Sequence, residues 1–219
     1  MDKLRIRFRK TGRAIYISHL DLMHTMQRGF SRAGYKLAHS EGFNPHPIIS
    51  IALPLSVGTA SVCEIMDFRL QEDADLAKLP HRLTEALPEG IEVIEVYETG
   101  RKAAELKWLQ LEGRLEYDDR DPAAMAEVLS AFFARDSIVI TKKSKKGFSE
   151  FDIIPAIREI LFEAGSGMVL VRMTVSAQEP TFNPDLIAET LRQKAPEIAP
   201  DFAVFQRIET YDADMRIYR

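Results

Sequence analysis

The residues best suited to chemistry concentrate in the first fifty positions of the chain. Four of the five histidines lie there, at His19, His24, His39 and His46. Segment 1–50 also holds nine Lys or Arg against three acids, a balance of +6, so the remaining residues carry −10 of the total charge of −4. An anionic ligand or a phosphate backbone responds to the local positive charge of this segment and not to the total charge of the chain. The alternative is that these cations pair with acids of the other half.

A row of arginines follows the phase of one predicted strand, at about residues 3–9. The row is Arg5, Arg7 and Arg9, alternating with Leu4, Ile6 and Phe8. On a sheet face turned away from the helices, the row would form an exposed basic platform for RNA. Phe8 has the opposite phase, so the contacts would be mainly to phosphates. The alternative is a face paired with acids such as Glu92 and Glu95, or covered by a second domain.

A helix start follows, in the motif Ser18-His19-Leu20-Asp21, which has the form of a capping box. With Lys10 and Arg13 in the preceding turn, its free N–H groups predict an anion or phosphate site around His19, with Arg28 further along the polar side of the helix. The alternative is a capped helix with a solvated polar face. A metal site would need His19, Asp21, His24 and His46. The five-residue spacing of the first two histidines is poor for this, and no metal is predicted.

The loop "SEGFNPHPIIS", residues 40–50, is the second candidate. Pro45 and Pro47 restrict the residues before them to extended backbone, which delivers the chain rigidly into the next strand. Ser40, Glu41, Asn44 and His46 are predicted to lie near the His19 helix start and to form half of a binding site. Glu41 and His46 would be an acid–base pair if they faced one pocket. The chain has no nucleophile elbow and no Gly-rich phosphate loop.

The elements that must position these residues follow a regular order. In the first half they are a strand at 3–9, a helix from Ser18 to Gly34, strands at 48–53 and 62–70, a helix at 73–87 and a strand at 91–97. This β-α-β-β-α-β order within about 97 residues is that of a ferredoxin-like split βαβ unit. It predicts an antiparallel sheet with two helices on one face.

The second half repeats the order less regularly. Strands are predicted at 106–117, 137–141, 168–175 and 202–211, and helices at 122–134 and 184–194. The prediction is therefore an α+β chain of two tandem ferredoxin-like domains, 1–100 and 101–219. An insertion near 142–165 contains a basic link, Lys142 to Gly147, predicted to be a solvated loop with non-specific nucleic-acid contact as the lesser alternative, and a short helix starting at Pro155.

Composition narrows the class of protein. With 219 residues and 46% apolar content the chain can bury a core. No apolar run approaches the roughly 18 residues of a membrane span, and the N-terminus is charged where a signal peptide is apolar, so a soluble, cytoplasmic protein is expected. The single Cys63 excludes an internal disulfide and an iron–sulfur cluster held by this chain alone. No cofactor is predicted.

The N-terminal motifs resemble those of the radical-SAM-linked protein family, a bacterial domain of unknown function. The resemblance covers the first 70 residues strongly and the rest, through "FDIIPAI" and "QRIETY", more weakly. Positions that match the family's motif are Lys10, Gly12, Ser18, His19, Asp21, Ser40, Glu41, Gly42, Asn44, Pro45, His46 and Pro47. In that family the domain follows a cobalamin-binding radical-SAM enzyme on one chain or is encoded beside it. The resemblance therefore implies a radical-SAM enzyme as partner.

Three functions are compatible with these patterns. The leading hypothesis is an accessory protein that binds RNA, or another phosphate-bearing substrate, through its N-terminal domain and works with a radical-SAM enzyme. The second is an RNA-cleaving or RNA-modifying enzyme that uses His19 or His46 as general acid or base. The third is a protein-docking adaptor that binds no nucleic acid.

Overall fold

The computed structural model describes residues 3–144 and 147–219 and divides the chain into two compact units. One unit comprises Met1–Glu105 together with Arg219, and the other comprises Leu106–Tyr218. In the part of the chain that is described, four α-helices accompany mostly antiparallel strands. The α+β class predicted from the sequence is therefore confirmed.

The N-terminal unit contains a four-stranded antiparallel sheet and two helices. In chain order its elements are β1 Leu4–Lys10, a 3₁₀ helix Gly12–Tyr16, α1 His19–Arg32, β2 Ile49–Ile51, β3 Ala60–Phe68, α2 Leu79–Ala86 and β4 Ile91–Glu98. The strands lie in the order β4-β1-β3-β2. Both neighbours of β1 thus come from later in the chain, which places acids of β3 and β4 beside the arginines of β1.

The core of this unit forms where α1 and α2 pack on one face of the sheet. The apolar side of α1 faces this core, because Leu22, Met26 and Phe30 are all buried. The ring of Phe30 lies against that of Phe68 in β3, with centroids 4.8 Å apart. Burying side chains of this size contributes about 1.5–3 kcal/mol each, so this interface holds the helices on the sheet.

The second helix is shorter than predicted, since α2 begins at Leu79 and not near Asp73. The Asp75 carboxylate accepts a hydrogen bond from the backbone N–H of Ala77 at 3.1 Å, which keeps this segment in a turn. Pro80 then occupies the first turn of α2, where its missing N–H costs nothing. Local side-chain bonding therefore delays the helix by about one and a half turns.

The C-terminal unit contains four antiparallel sheet strands, two helices and a separate hairpin. Its elements are β5 Trp108–Glu116, α3 Pro122–Phe133, β6 Val139–Ser144, β7 Gly147–Asp152, β8 Ile157–Ala164, β9 Met168–Ser176, α4 Leu186–Lys194 and β10 Phe202–Tyr211. The sheet has the order β10-β5-β9-β8, and β6 pairs only with β7. Asp121 caps α3, accepting a hydrogen bond from the N–H of Ala124 at 2.9 Å.

The prediction of a short helix starting at Pro155 is wrong. Only a three-residue 3₁₀ turn, Ile154–Ala156, occurs there, and the following residues form β8. A short apolar run fits a helix or a strand, and here pairing with β9, which sets Ile160 opposite Met173, decides for the strand. The predicted strand at 137–141 is also misplaced, because β6 belongs to the hairpin and β8 takes its position in the sheet.

The basic link predicted as a solvated loop is largely strand. β6 continues to Ser144 and β7 begins at Gly147, while Lys145 and Lys146 lie outside the described residues. The amide of Gln193 in α4 donates to the Thr141 carbonyl and accepts from the Thr141 N–H, both at 3.0 Å. These two hydrogen bonds fix the hairpin to α4 at Thr141.

Tyr117, directly after β5, gives the C-terminal unit a pH dependence. Its hydroxyl donates to the Ile198 carbonyl at 3.0 Å, and burial raises the pKa of Tyr117 to about 12, against the opposing effect of Arg120. Unfolded tyrosine titrates near pH 10, so between about pH 10 and 12 the folded state keeps a proton that the unfolded state has lost. Stability from this group is complete below pH 10 and declines through that window.

We therefore expect the free energy of unfolding to fall more steeply above pH 10 in the wild type than in Tyr117→Phe. Urea titrations at pH 8, 10 and 11 measure this, and the titration of other tyrosines and lysines is common to both proteins. Parallel pH profiles for the two proteins would contradict the assignment.

Candidate nucleic-acid interface

Arg5 is buried and does not belong to an exposed platform. Its Nε lies 2.6 Å from Oδ1 of Asp67 on the neighbouring β3, its Nη2 donates to Oδ2 at 3.2 Å, and the same Nη2 donates to the Arg101 carbonyl at 3.0 Å. The side chain has no exposed surface. The prediction of a solvent-facing arginine row is therefore wrong at this position, because β3 supplies a carboxylate that the strand pattern alone does not reveal.

The other two arginines of β1 are paired across the sheet. β4 lies antiparallel to β1, with Arg7 opposite Glu95 and Arg9 opposite Glu92. The Arg7 Nε lies 2.6 Å from Oε1 of Glu95, and the Arg9 Nη1 lies 3.3 Å from Oε2 of Glu92. The alternative interpretation, a strand face neutralised by Glu92 and Glu95, is confirmed. Phosphate would have to compete with a carboxylate at both positions.

Lys10 is also withdrawn from solvent. Its Nζ donates to the Ile15 carbonyl at 3.0 Å and its side chain is buried. Burial lowers the pKa of Lys10, and the nearby charge of Glu64 opposes that effect. The lysine therefore joins the end of β1 to the 3₁₀ helix and does not reach a phosphate site.

Two arginines of the basic segment have guanidinium groups that solvent can reach. Arg13, in the 3₁₀ helix, and Arg28, in α1, are exposed. Throughout residues 3–144 and 147–219, neither side chain forms an ion pair or a hydrogen bond. A guanidinium without a carboxylate partner can bind phosphate through two parallel N–H donors. Of the predicted site, these two arginines are the cations that remain available to an anionic ligand.

The outward side of α1 carries further exposed side chains. Leu20, His24 and Arg28 are spaced four residues apart, so they share one face of the helix, and all three are exposed. Tyr16, at the end of the preceding 3₁₀ helix, is 70% exposed. We call Arg13, Tyr16, His24 and Arg28 the helix surface. It combines positive charge with an aromatic ring, although its aromatic member was not predicted from the sequence.

The start of α1 is a reciprocal cap. The Ser18 hydroxyl accepts from the Asp21 N–H at 3.2 Å and lies 2.7 Å from the Asp21 carboxylate, to which it donates. The Asp21 charge sits in the first turn, where it already compensates the positive end of the helix dipole. This geometry favours the alternative of a capped helix over an anion site. His19 is half-buried, and its Nδ1 has no hydrogen-bond partner among the residues described.

The second candidate segment forms a hairpin-like loop, Ala38–Ile48. The Ser40 N–H donates to the His46 carbonyl at 2.9 Å, and the Ile48 N–H donates to the Ala38 carbonyl at 2.8 Å. The Ser40 hydroxyl also accepts from the His46 N–H at 3.2 Å and lies 2.9 Å from the His46 Nδ1. Two of the predicted residues therefore serve to close the loop. We call this segment the tip loop.

Glu41 and His46 do not form the predicted acid–base pair. The His46 Nδ1 is bonded to Ser40, with the Asn44 carbonyl at 3.5 Å as a weaker contact. The Glu41 carboxylate is exposed and makes no hydrogen bond or ion pair within the described parts of the chain. Both side chains point into solvent and not into a shared pocket.

The tip loop and the helix start lie at different ends of α1. The 3₁₀ helix before α1 bonds to the turn ahead of β3, where the Gly58 N–H donates to the Ile15 carbonyl. The tip loop is anchored at the other end of β3, where the Ala38 N–H donates to the Arg69 carbonyl. The fourteen residues of α1 separate the two by about 20 Å of helix. The prediction that they form two halves of one site is wrong.

Phe43, at the tip of the loop, is a functional candidate that the sequence prediction missed. Its exposure is 112% of the reference value, so the loop buries none of the ring. The available signal was a lone aromatic residue between Gly42 and Asn44 in a polar, proline-rich loop. A ring this exposed adds nothing to the packing of the chain, and its place at a loop tip makes Phe43 a candidate for recognition.

A polar cavity of about 290 Å³ lies near the end of α1. Its lining includes Lys36, Glu72, Asp75 and Lys78, which form two ion pairs, Lys36–Glu72 at 3.2 Å and Lys78–Asp75 at 2.9 Å. None of the predicted site residues lines it. Its charges compensate one another, so it does not favour an anionic ligand.

Residues 3–144 and 147–219 contain neither a candidate metal cluster nor a helix able to span a membrane. No group of three or more His, Cys, Asp or Glu side chains there is arranged to hold a metal ion. None of the helices in the same ranges has the length and apolar character needed to cross a bilayer.

The sequence profile of one bacterial family, described as uncharacterised proteins conserved in bacteria, matches residues 3–184. The chain belongs to this family, DUF2344. The match includes the helix surface, the tip loop and most of the C-terminal unit. No protein of curated function matches the chain.

Among solved structures, a chain of a Cbf5-Nop10-Gar1 complex is similar in fold, with a TM-score of 0.50 and 12% identity over 94% of this chain and 48% of that one. This chain thus spans about half the length of that structure. An unknown protein from Galdieria sulphuraria matches with a TM-score of 0.26 and 13% identity, over 94% and 98% of the two chains. Thermus thermophilus Cse3 bound to an RNA matches with a TM-score of 0.22 and 12% identity, over 94% and 99%. At these identities the likeness concerns the fold alone, and the two lower scores support no conclusion.

Proposed function

We propose that the chain binds RNA through its N-terminal unit, as a cytoplasmic accessory protein to a radical-SAM enzyme. The observation that carries RNA binding is the state of Arg13 and Arg28. They stay exposed and unpaired within the described residues, while Arg5, Arg7 and Arg9 of the same segment are neutralised by carboxylates. The radical-SAM partner is supported only by the resemblance of the N-terminal motifs.

The helix surface has the composition that RNA binding requires. Arg13 and Arg28 supply charge for phosphates, and the exposed ring of Tyr16 supplies a face for a base. The exposed His24 imidazole lies one turn before Arg28 on the same face of α1 and adds a group that can form hydrogen bonds. A total charge of −4 makes non-specific attraction of RNA to the rest of the protein weak, so binding should depend on this surface.

The fold proposed for both units is the ferredoxin-like split βαβ. Its support is the strand order, since β4-β1-β3-β2 and β10-β5-β9-β8 are each the fourth, first, third and second strand of a β-α-β-β-α-β series. In the C-terminal unit this description counts β6 and β7 as an insertion between α3 and β8.

The test is the salt dependence of RNA binding by Arg13→Glu/Arg28→Glu. Log K falls as log salt rises, and each lost phosphate contact makes this slope shallower by about 0.7 for single-stranded nucleic acid. We therefore expect the magnitude of the slope to decrease by about 1.4. Fluorescence anisotropy with a labelled single-stranded RNA, between 50 and 300 mM salt, measures it. The matched control, Arg82→Glu/Arg192→Glu, reverses two exposed arginines elsewhere and should leave the slope unchanged.

Other results would overturn the proposal. Wild-type protein that binds no RNA at 50 mM salt contradicts it, and so does a variant whose affinity and slope equal those of the control. Cleavage of the RNA by the purified chain, lost in His46→Ala, would favour the enzyme hypothesis. Co-purification of a radical-SAM enzyme without RNA would favour the adaptor.

A further inference from the structure

The tip loop presents a single aromatic ring to solvent. Among the residues described, no aromatic or cation–π contact involves Phe43, and its exposure exceeds that of a reference residue. Both faces of the ring are therefore open. An aromatic face that nothing covers is the element that single-stranded nucleic-acid binders use to stack a base.

The backbone that carries Phe43 is held by a closed loop. Backbone bonds from Ser40 to His46 and from Ile48 to Ala38 close the loop twice, and the Ser40 hydroxyl bonds both the N–H and the ring of His46. Pro45 and Pro47 remove further backbone freedom. The backbone that carries the ring therefore loses little conformational entropy when a ligand stacks on the ring.

The surroundings of Phe43 favour a base over a protein pocket. Anchor residues of protein interfaces sit among other apolar groups, but Phe43 is flanked in the sequence by Gly42 and Asn44, with Glu41 and Pro45 beyond them. Polar groups beside a stacked ring are what the edges of an unpaired base require for hydrogen bonds. The exposed Arg69, whose backbone bonds both ends of the tip loop, adds a cation at its base that makes no ion pair in the described residues.

We propose that Phe43 stacks on an unpaired base of single-stranded RNA, with Asn44 at the base edge and Arg69 near the phosphate. This inference rests on the proposed RNA binding and adds the kind of RNA that is bound. A base inside a duplex is already stacked and cannot cover the ring, so the tip loop selects single strands.

The experiment compares Phe43→Ala, Phe43→Trp and wild type on a mixed-sequence single-stranded RNA and on a duplex of the same length. Losing one stacked base weakens binding by about 5- to 150-fold, so we expect Phe43→Ala to lose that much affinity for the single strand and none for the duplex. Phe43→Trp should retain the affinity, with tryptophan fluorescence quenched on binding. The matched control is Phe148→Ala, which removes a second exposed phenylalanine, in β7.

The outcomes separate this inference from the proposed function. If wild type binds single-stranded RNA and Phe43→Ala binds it equally well, the inference is wrong while RNA binding stands. An equal loss on single strand and duplex, or an equal loss in Phe148→Ala, also overturns it. If wild type binds no RNA, the proposed function fails first. An unchanged salt slope in Phe43→Ala, with reduced affinity, supports stacking over charge.

Discussion

Asp67→Ala is expected to destabilise the N-terminal unit by about 3–5 kcal/mol, because it leaves the buried Arg5 guanidinium without its carboxylate. Arg5 is fully buried, and two of its nitrogens bond the two oxygens of Asp67 at 2.6 and 3.2 Å. Lys3, whose Nζ lies 2.6 Å from the same carboxylate, is partly exposed and can return to water. The Arg5 side chain has no exposed surface and cannot reach water in this way. Urea denaturation, followed by circular dichroism, measures the loss.

Two further variants distinguish a buried charge from a general defect. Lys36→Ala breaks the exposed Lys36–Glu72 pair and should cost less than about 1 kcal/mol. Arg5→Met combined with Asp67→Leu removes both charges and should recover most of the stability lost in Asp67→Ala. If Asp67→Ala loses no more unfolding free energy than Lys36→Ala, the buried Arg5–Asp67 pair contributes no more to stability than an exposed pair.

Gly90→Ala is expected to cost about 2–5 kcal/mol. Gly90 has φ +89°, a left-handed conformation that costs an L residue about 1–2 kcal/mol. An added Cβ would also collide with the Thr11 carbonyl oxygen and lie 2.9 Å from the Ala14 Cβ. Such overpacking costs about 1–3 kcal/mol more. The turn cannot shift easily, because the Gly90 carbonyl accepts from the Thr11 N–H at 2.8 Å.

The control for this prediction is Gly58→Ala. Gly58 has the same φ of +89°, and nothing lies within 4 Å of its added Cβ. It therefore reports the conformational cost alone, and the difference between the two variants isolates the close approach of Thr11 and Ala14. Equal losses in a chemical denaturation series would contradict the packing argument. Because Thr11 begins the segment that carries Arg13, RNA affinity should fall further in Gly90→Ala than in Gly58→Ala.

Local signals determined much of the N-terminal unit. The Ser18 cap, the buried stripe from Leu22 to Phe30, and Gly34 with φ +82° after α1 were all readable, because a helix's cap, face and end depend on neighbours within a few residues. The C-terminal unit was less readable around β8. Its pairing with β9 is decided by contacts across the sheet, and a short apolar run carries no information about them.

The basic segment shows the same division between local and tertiary information. The sequence alone determined that residues 1–50 carry an excess of positive charge and that Arg5, Arg7 and Arg9 share one strand phase. Only the tertiary structure decided which charges remain available. Asp67, Glu92 and Glu95 come from strands more than fifty residues later, and a charge's effect depends on distance and burial. Strand pairing therefore removed the row from the candidate site and left Arg13 and Arg28 as its available cations.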